Sequence, residues 1–409
     1  MKALFACLLV ACAPVAVGQD VLIRGATVHT VSGQGTLANA DLLIRAGRIA
    51  AIGAGLAAPD NAVIVDAKGR VLTPGLFGGL SAIGLDEVSL EPITTDSSLR
   101  QDGAAIEIRW RPEFDVTQAY NPRSVLVPVA RIEGLTWTVL APGGNVLAGQ
   151  GAAVTLDGRY DAVLAGSHAL FIQLGGAMNP VSAGSRAAQW MLLEQAIGEA
   201  RARTPGGDGA LLQPLGRAAL ATYLDGGRVV FRVSRAVDIR RVVAFAKRHA
   251  MKPIIAGGAE AWVVADELAR DDVPVMLDAL ENLPADFDSI GSRLDNAALL
   301  HAAGVRVAFT QFGESHNARK IRQLAGNAVA HGLPKDAALA ALTARPAEMF
   351  GLGRDRGRLA TGQVADVVLW NGDPLDVTGQ AEQVWIGGRA IEMRSRQTDL
   401  RDRYLQRQR

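Results

Sequence analysis

Val21-Leu22-Ile23-Arg24-Gly25-Ala26-Thr27-Val28-His29-Thr30 alternates apolar with polar or small residues, the period of a half-buried strand. Ala40–Arg45 and Arg48–Ile52 repeat the pattern around Ala46-Gly47 and predict a hairpin, and Val63–Asp66 adds a short strand. At the other end, Ala365–Trp370 and Gln383–Ile386 read as strands joined through Asn371-Gly372-Asp373-Pro374. Between these β-rich ends the pattern changes to strand followed by helix. Arg228–Val233 is a strand, and Ala236–His249 a helix with apolar spacing at Ile239, Val242, Val243 and Phe245. Lys252–Ala256, Val273–Asp278 and Val305–Phe309 continue the strands, with helices over Glu260–Asp271 and Asn296–Ala303. Such repeats imply parallel strands, and a (β/α)8 TIM-type barrel is the economical α/β solution. Ser89 to Thr155 is less regular and reads as an insertion near 89–155, with strands of its own at Ser124–Arg131 and Trp137–Ala141.

Composition adds limits. A formal charge of +1 gives no argument for nucleic acid or an anionic membrane. Residues 1–18 combine Lys2, a short apolar run and the small residues Ala16-Val17-Gly18, as a signal peptide cleaved before Gln19 would. Leu9-Val10-Ala11-Cys12 also fits a lipoprotein signal, so a secreted or periplasmic location is expected, with lipidation at Cys12 as a variant. No other stretch approaches the ~20 apolar residues that cross a bilayer. Both cysteines, Cys7 and Cys12, fall in that leader, so the mature chain would have no disulfide.

Three motifs carry a resemblance. Lys68–Ala82 reads KGRVLTPGLFGGLSA, Ala341–Ala347 reads ALTARPA, and Gly357–Asp366 reads GRLATGQVAD. In this order they resemble the amidohydrolase superfamily, in particular its secreted imidazolonepropionase-like and prolidase-like branch, over roughly residues 20–395. The resemblance implies a barrel over 73–355 and a small β-sandwich built from 19–72 and 356–395, followed by a charged tail at 396–409. It also implies hydrolysis of C–N bonds in cyclic amides or dipeptides, with zinc held by a His-x-His pair on the first strand. Further ligands in the family are often a carboxylated lysine on strand four, a histidine on each of strands five and six, and an aspartate on strand eight.

This sequence departs from that pattern. Leu80 and Ala82 stand where the histidine pair belongs, and no lysine lies between Lys68 and Lys247. The strand-five and strand-six positions fall at Ser234 and Ala256, and strand eight is followed by Thr310-Gln311-Phe312. No metal ligand and no cofactor is therefore assigned, and no catalytic residue is named. Candidate pocket residues are Arg232, Ser234, Glu260, Asp278, Gln311, Glu314, His316 and Asn317. The bland alternative is that these polar groups form a salt-bridged network filling the vacated site. Three functions remain open: a non-catalytic homologue partnering an intact paralogue or itself, a hydrolase with an unconventional site near Glu314 and His316, and a small-ligand binding module. Trp190, Trp370 and Trp385 are the large apolar residues that could mark an association surface.

Overall fold

The computed structural model describes residues 19–88, 90–99, 110–202, 209–281 and 283–406. The leader at 1–18, part of the 89–155 segment and most of the Gly206–Gly209 loop lie outside them. The N-terminal strands are β1 (Val21–His29), β2 (Thr36–Arg45), β3 (Arg48–Gly53), β4 (Val63–Asp66) and β5 (Val71–Pro74). Those of the middle are β6 (Leu76–Ser81), β7 (Leu135–Leu140), β8 (Leu147–Gly151), β9 (Ala153–Thr155), β10 (Ala169–Gln173), β11 (Arg228–Val233), β12 (Lys252–Gly257), β13 (Val275–Leu277) and β14 (Val307–Phe309). The last are β15 (Val367–Trp370), β16 (Ala381–Ile386) and β17 (Arg389–Ala390). The helices are α1 (Leu126–Arg131), α2 (Arg186–Arg201), α3 (Pro214–Ala221), α4 (Ala236–Arg248), α5 (Ala265–Arg270), α6 (Asn296–Ala302), α7 (Ile321–Ala330), α8 (Lys335–Leu342), α9 (Ala344–Met349) and α10 (Arg396–Gln406).

Both chain ends meet in one sheet of order β17-β16-β15-β5-β1-β2-β3, with β4 added on β1. It forks there: β4 pairs with Val21–Arg24 and β5 with Thr27 and Val28. A single apolar core, including Ile23, Leu42, Leu369 and Trp385, joins the two wings.

The middle is mixed α/β. Strands β10 to β14 run parallel in sequence order, and β6 and β7 run parallel in a second sheet. The segment Leu147–Thr155 connects the two sheets. Its β8 half pairs with β10 and its β9 half with β7, both antiparallel, and Leu140 N–H donates to Ala152 O at 3.0 Å. Gly151 permits the approach, since a Cβ there would lie 1.9 Å from Leu140 O. The outer edges, β14 and β6, are linked by the Leu80 N–H donating to Thr310 Oγ1 at 2.8 Å. Gly79, at φ +81°, makes room for Thr310 and produces the register shift that turns Leu80 inward.

Side-chain alternation separates two cores. On β11, Val229, Phe231 and Val233 pack outward against helices, whereas Val230 faces inward with Phe171, Ile254, Met276 and Ala308. The inner core closes below on Met349, Phe350 and Leu352.

Two expectations need correction. Ser124–Arg131 contains no strand but helix α1, whose start Ser124 stabilises by accepting the Leu126 N–H on Oγ at 3.2 Å. Trp137–Ala141 is not an insertion strand: as β7 it extends the sheet begun by β6, and Leu147–Thr155 belongs with it. Trp370 and Trp385 are 0% and 1% exposed, so neither marks an association surface, while Trp190 is partly buried against Phe245. No helix among the described residues is long and apolar enough to cross a membrane.

Candidate functional site

The C-terminal ends of the inner strands open into two adjoining cavities. The first has a volume of about 570 Å³, and its floor is Leu80, Phe171, Val230 and Ala256. The second, about 450 Å³, lies over Ser234, Leu277 and Asp278 and is also lined by Leu280, Glu281, Leu283, Asp288 and Leu294. Gln173, Arg232 and Phe312 line both and form the wall between them.

Arg232 reaches this wall because it shares the inward face of β11 with Val230. Its guanidinium carbon lies 4.4 Å from the centroid of the Phe312 ring. Removal from bulk water pushes its pKa down, and the more distant Glu281 carboxylate partly offsets this. Gln173 is its register partner on β10, and among the described residues its amide donates to Pro142 O alone, at 3.4 Å. Across the second cavity, burial raises the pKa of Asp278 against the pull of backbone N–H groups from Leu280, Phe312 and Glu281. Burial likewise raises Glu281, helped by Asp278 and opposed by Arg232.

The other candidates divide. Gln311, Glu314 and His316 line the first cavity, and Ser234 and Asp278 the second. Glu260 is turned elsewhere: its carboxylate accepts the Ala236 N–H at 2.9 Å and caps α4. Asn317 lines neither cavity, and its backbone N–H donates to Glu314 O at 2.8 Å. The expected salt-bridged filling does not form, since both cavities remain open and Arg232 stacks on an aromatic ring. Thr310, at the end of strand β14, is fully buried and spends its hydroxyl on the β14–β6 seam. Among the described residues no group of three or more His, Cys, Asp or Glu converges as a metal site.

Lining residues that escaped the candidates drawn from sequence include Gln173, Glu281, Phe312, Asp86 and Glu87. Alternation along β10 could have found Gln173. Glu87 carries a buried carboxylate oxygen without a hydrogen-bond partner at the first cavity, and nothing in the local sequence signals it.

Known proteins place this architecture. The model of the Amidohydrolase family matches residues 286–391. A curated relative, Amidohydrolase tasK of Hapsidospora irregularis, is 36% identical over 92 residues, which are 22% of this chain and 9% of that protein. The chain thus matches less than a tenth of that relative's length. The solved structure of an amidohydrolase from Thermotoga maritima superposes with a TM-score of 0.81 at 22% identity, covering 91% of this chain and 100% of that one. A prolidase complexed with N-methylphosphonate-L-proline gives 0.54 at 15% identity, covering 91% and 100%. A triazine hydrolase from Arthrobacter aurescens gives 0.53 at 16% identity, covering 94% and 97%. These neighbours imply the barrel-plus-sandwich fold for the mixed α/β body and terminal sheet described above. Over residues 286–391 the chain matches the Amidohydrolase family, and its overall fold is the one these amidohydrolase structures share.

Proposed function

We propose that this chain is an amidohydrolase-superfamily protein without the family's metal centre, whose barrel mouth serves as a small-ligand pocket. The eight inner strands are read as one barrel, with β8–β9 as its reversed third strand and the Thr310–Leu80 contact as its closing seam. Leu80, Ala82 and Ala256, which line the first cavity, are the observation that carries the reading, because none offers a lone pair where the family places imidazoles. When bound, zinc polarises a carbonyl and lowers the pKa of its water to about 7. Catalytic zinc takes three protein ligands. The donor set here does not fit it: Asp86, Glu87, Glu314 and His316 line the first cavity, but among the described residues no three such groups converge, and Thr310 is committed to the seam. A retained cavity of about 570 Å³ supports ligand binding over a purely structural role.

Elemental analysis of untagged protein is expected to find substoichiometric zinc. One or two tightly held zinc ions per chain would overturn the reading. Leu80→His with Ala82→His is expected to leave hydrolysis of dipeptides and cyclic amides absent, because Ser234, Ala256 and Thr310 would still under-coordinate a metal. Export rests on the character of residues 1–18, and a mature N-terminus at Gln19 in the periplasmic or extracellular fraction is the test.

A further inference from the structure

The arginines of this protein are mostly satisfied. Arg322 donates to Pro374 O at 3.3 Å, to Asp376 O at 3.1 Å and to Glu133, and it stacks on Trp370. Arg356 pairs with Asp366, and Arg358 with Glu348. Arg232 differs. Among the described residues its guanidinium makes no hydrogen bond or ion pair, only the stack on Phe312 and a longer-range attraction to Glu281. It is exposed, and it stands at the wall shared by the two cavities. A planar cation facing open cavity volume, with its N–H fork unpaired and one face held by an aromatic ring, is preorganised for a planar anion.

We propose that Arg232 is the anion anchor of the mouth and that its ligand is a small monocarboxylate with an apolar body. This rests on the ligand-pocket reading given above and names the ligand class. The guanidinium fork would take the carboxylate side-on, with the Gln173 amide as a neighbouring donor, since its present contact to Pro142 O is long. The apolar body would lie on Leu80, Phe171, Val230 and Ala256, where burial of hydrocarbon supplies affinity. A second negative charge is selected against. Asp86, Glu87 and Glu314 line the same cavity, so a phosphate monoester or dicarboxylate would meet like charge beyond the single arginine. The partnerless Glu87 oxygen sharpens this discrimination.

Isothermal titration of the full mature protein at pH 7.5 with straight-chain carboxylates from butyrate to decanoate, and with phenylacetate, tests the anchor. At least one should bind at least about tenfold tighter than its own primary amide and than the phosphonate of equal length, a tenfold ratio being about 1.4 kcal/mol. Arg232→Met should remove that preference and Arg232→Lys should keep part of it, with melting curves showing both variants folded. Phenylglyoxal labelling read by mass spectrometry should modify Arg232, and the best carboxylate should protect it. Equal binding of carboxylate and amide, absence of carboxylate binding, or unchanged preference in Arg232→Met would overturn the anchor. The zinc measurement is independent: a metal-bearing protein that still prefers carboxylates through Arg232 refutes the metal-free reading and leaves the anchor standing. A metal-free protein that binds only amides does the reverse.

Discussion

Arg228 and Arg232 stand at the two ends of β11, roughly 13 Å apart at ~3.3 Å per residue, and the protein surrounds them in opposite ways. At the lower end, the Arg228 guanidinium donates to Met349 O at 2.7 Å, His168 O at 2.9 Å and Gly166 O at 3.3 Å. It also lies 5.8 Å from the Phe350 ring, which is fully buried. These contacts tie the start of β11 to the end of α9 and to the loop before β10. At the upper end Arg232 has an aromatic face, open volume and no anion. The same residue type on one strand is hydrogen-bonded to three carbonyls below and faces open cavity volume above. Barrel folds commonly divide stability and function between their two faces in this way.

The comparison breaks first at the lower face. Phe350→Ala should cost about 3–5 kcal/mol, the range for emptying a buried aromatic site, read by denaturant unfolding. Arg228→Met should cost about 2–3 kcal/mol, because it leaves up to three carbonyls without their charged donor. Neither should alter the carboxylate preference of folded protein, and a lost preference would show that the two faces are coupled. Arg232→Met should change stability by less than about 0.5 kcal/mol, as expected where no partner is orphaned. A loss as large as that of Arg228→Met would mean that Arg232 too holds the structure together.

The smallest effect concerns Asp278. Its folded pKa is raised above the unfolded value, so ionisation opposes folding, and the penalty grows as pH rises from about 4 through the folded pKa. Below the unfolded pKa both states are protonated and the penalty vanishes. Asp278→Asn should therefore melt slightly higher than the parent at pH 7.5, and the gap should close towards pH 3.5. A gap that widens in acid would contradict the sign. Asparagine keeps one acceptor for the backbone N–H groups of Leu280, Glu281 and Phe312, so the charge is the main change.

Much of the fold was legible in the sequence because strands β1 to β4 and β11 to β14 carry clean alternation or apolar runs bounded by turns. Leu147–Thr155 hid its role, since LAGQGAAVT has neither strong strand propensity nor alternation. Its reversed pairing is set by how closely Gly151 lets β7 approach, which is a tertiary property. The apolar, β-branched Leu126–Arg131 segment read as a strand until the Ser124 contact made it a helix start. At the site, the absence of donors at Leu80, Ala82 and Ala256 was plain. Arg232 could be nominated from its position, but whether it is paired depends on Gln173, Glu281 and Phe312, which come from other parts of the chain. Glu260 failed as a pocket residue for the same reason: a backbone N–H two elements away claimed it.

The terminal sheet sets an order of assembly. Strand β5 pairs along Val71–Pro74 with β15, whose residues follow almost three hundred positions later, and β16 and β17 hang on β15. Until Val367–Trp370 are present, β5 has an exposed edge, and Thr73 lacks the Trp370 indole N–H that donates to its hydroxyl at 2.9 Å. The first strands to leave the ribosome are therefore among the last to complete their pairing. Such long-range closure slows folding and leaves a sticky edge waiting. A chain ending before residue 367 would keep that edge permanently and is expected to be held by chaperones or to aggregate.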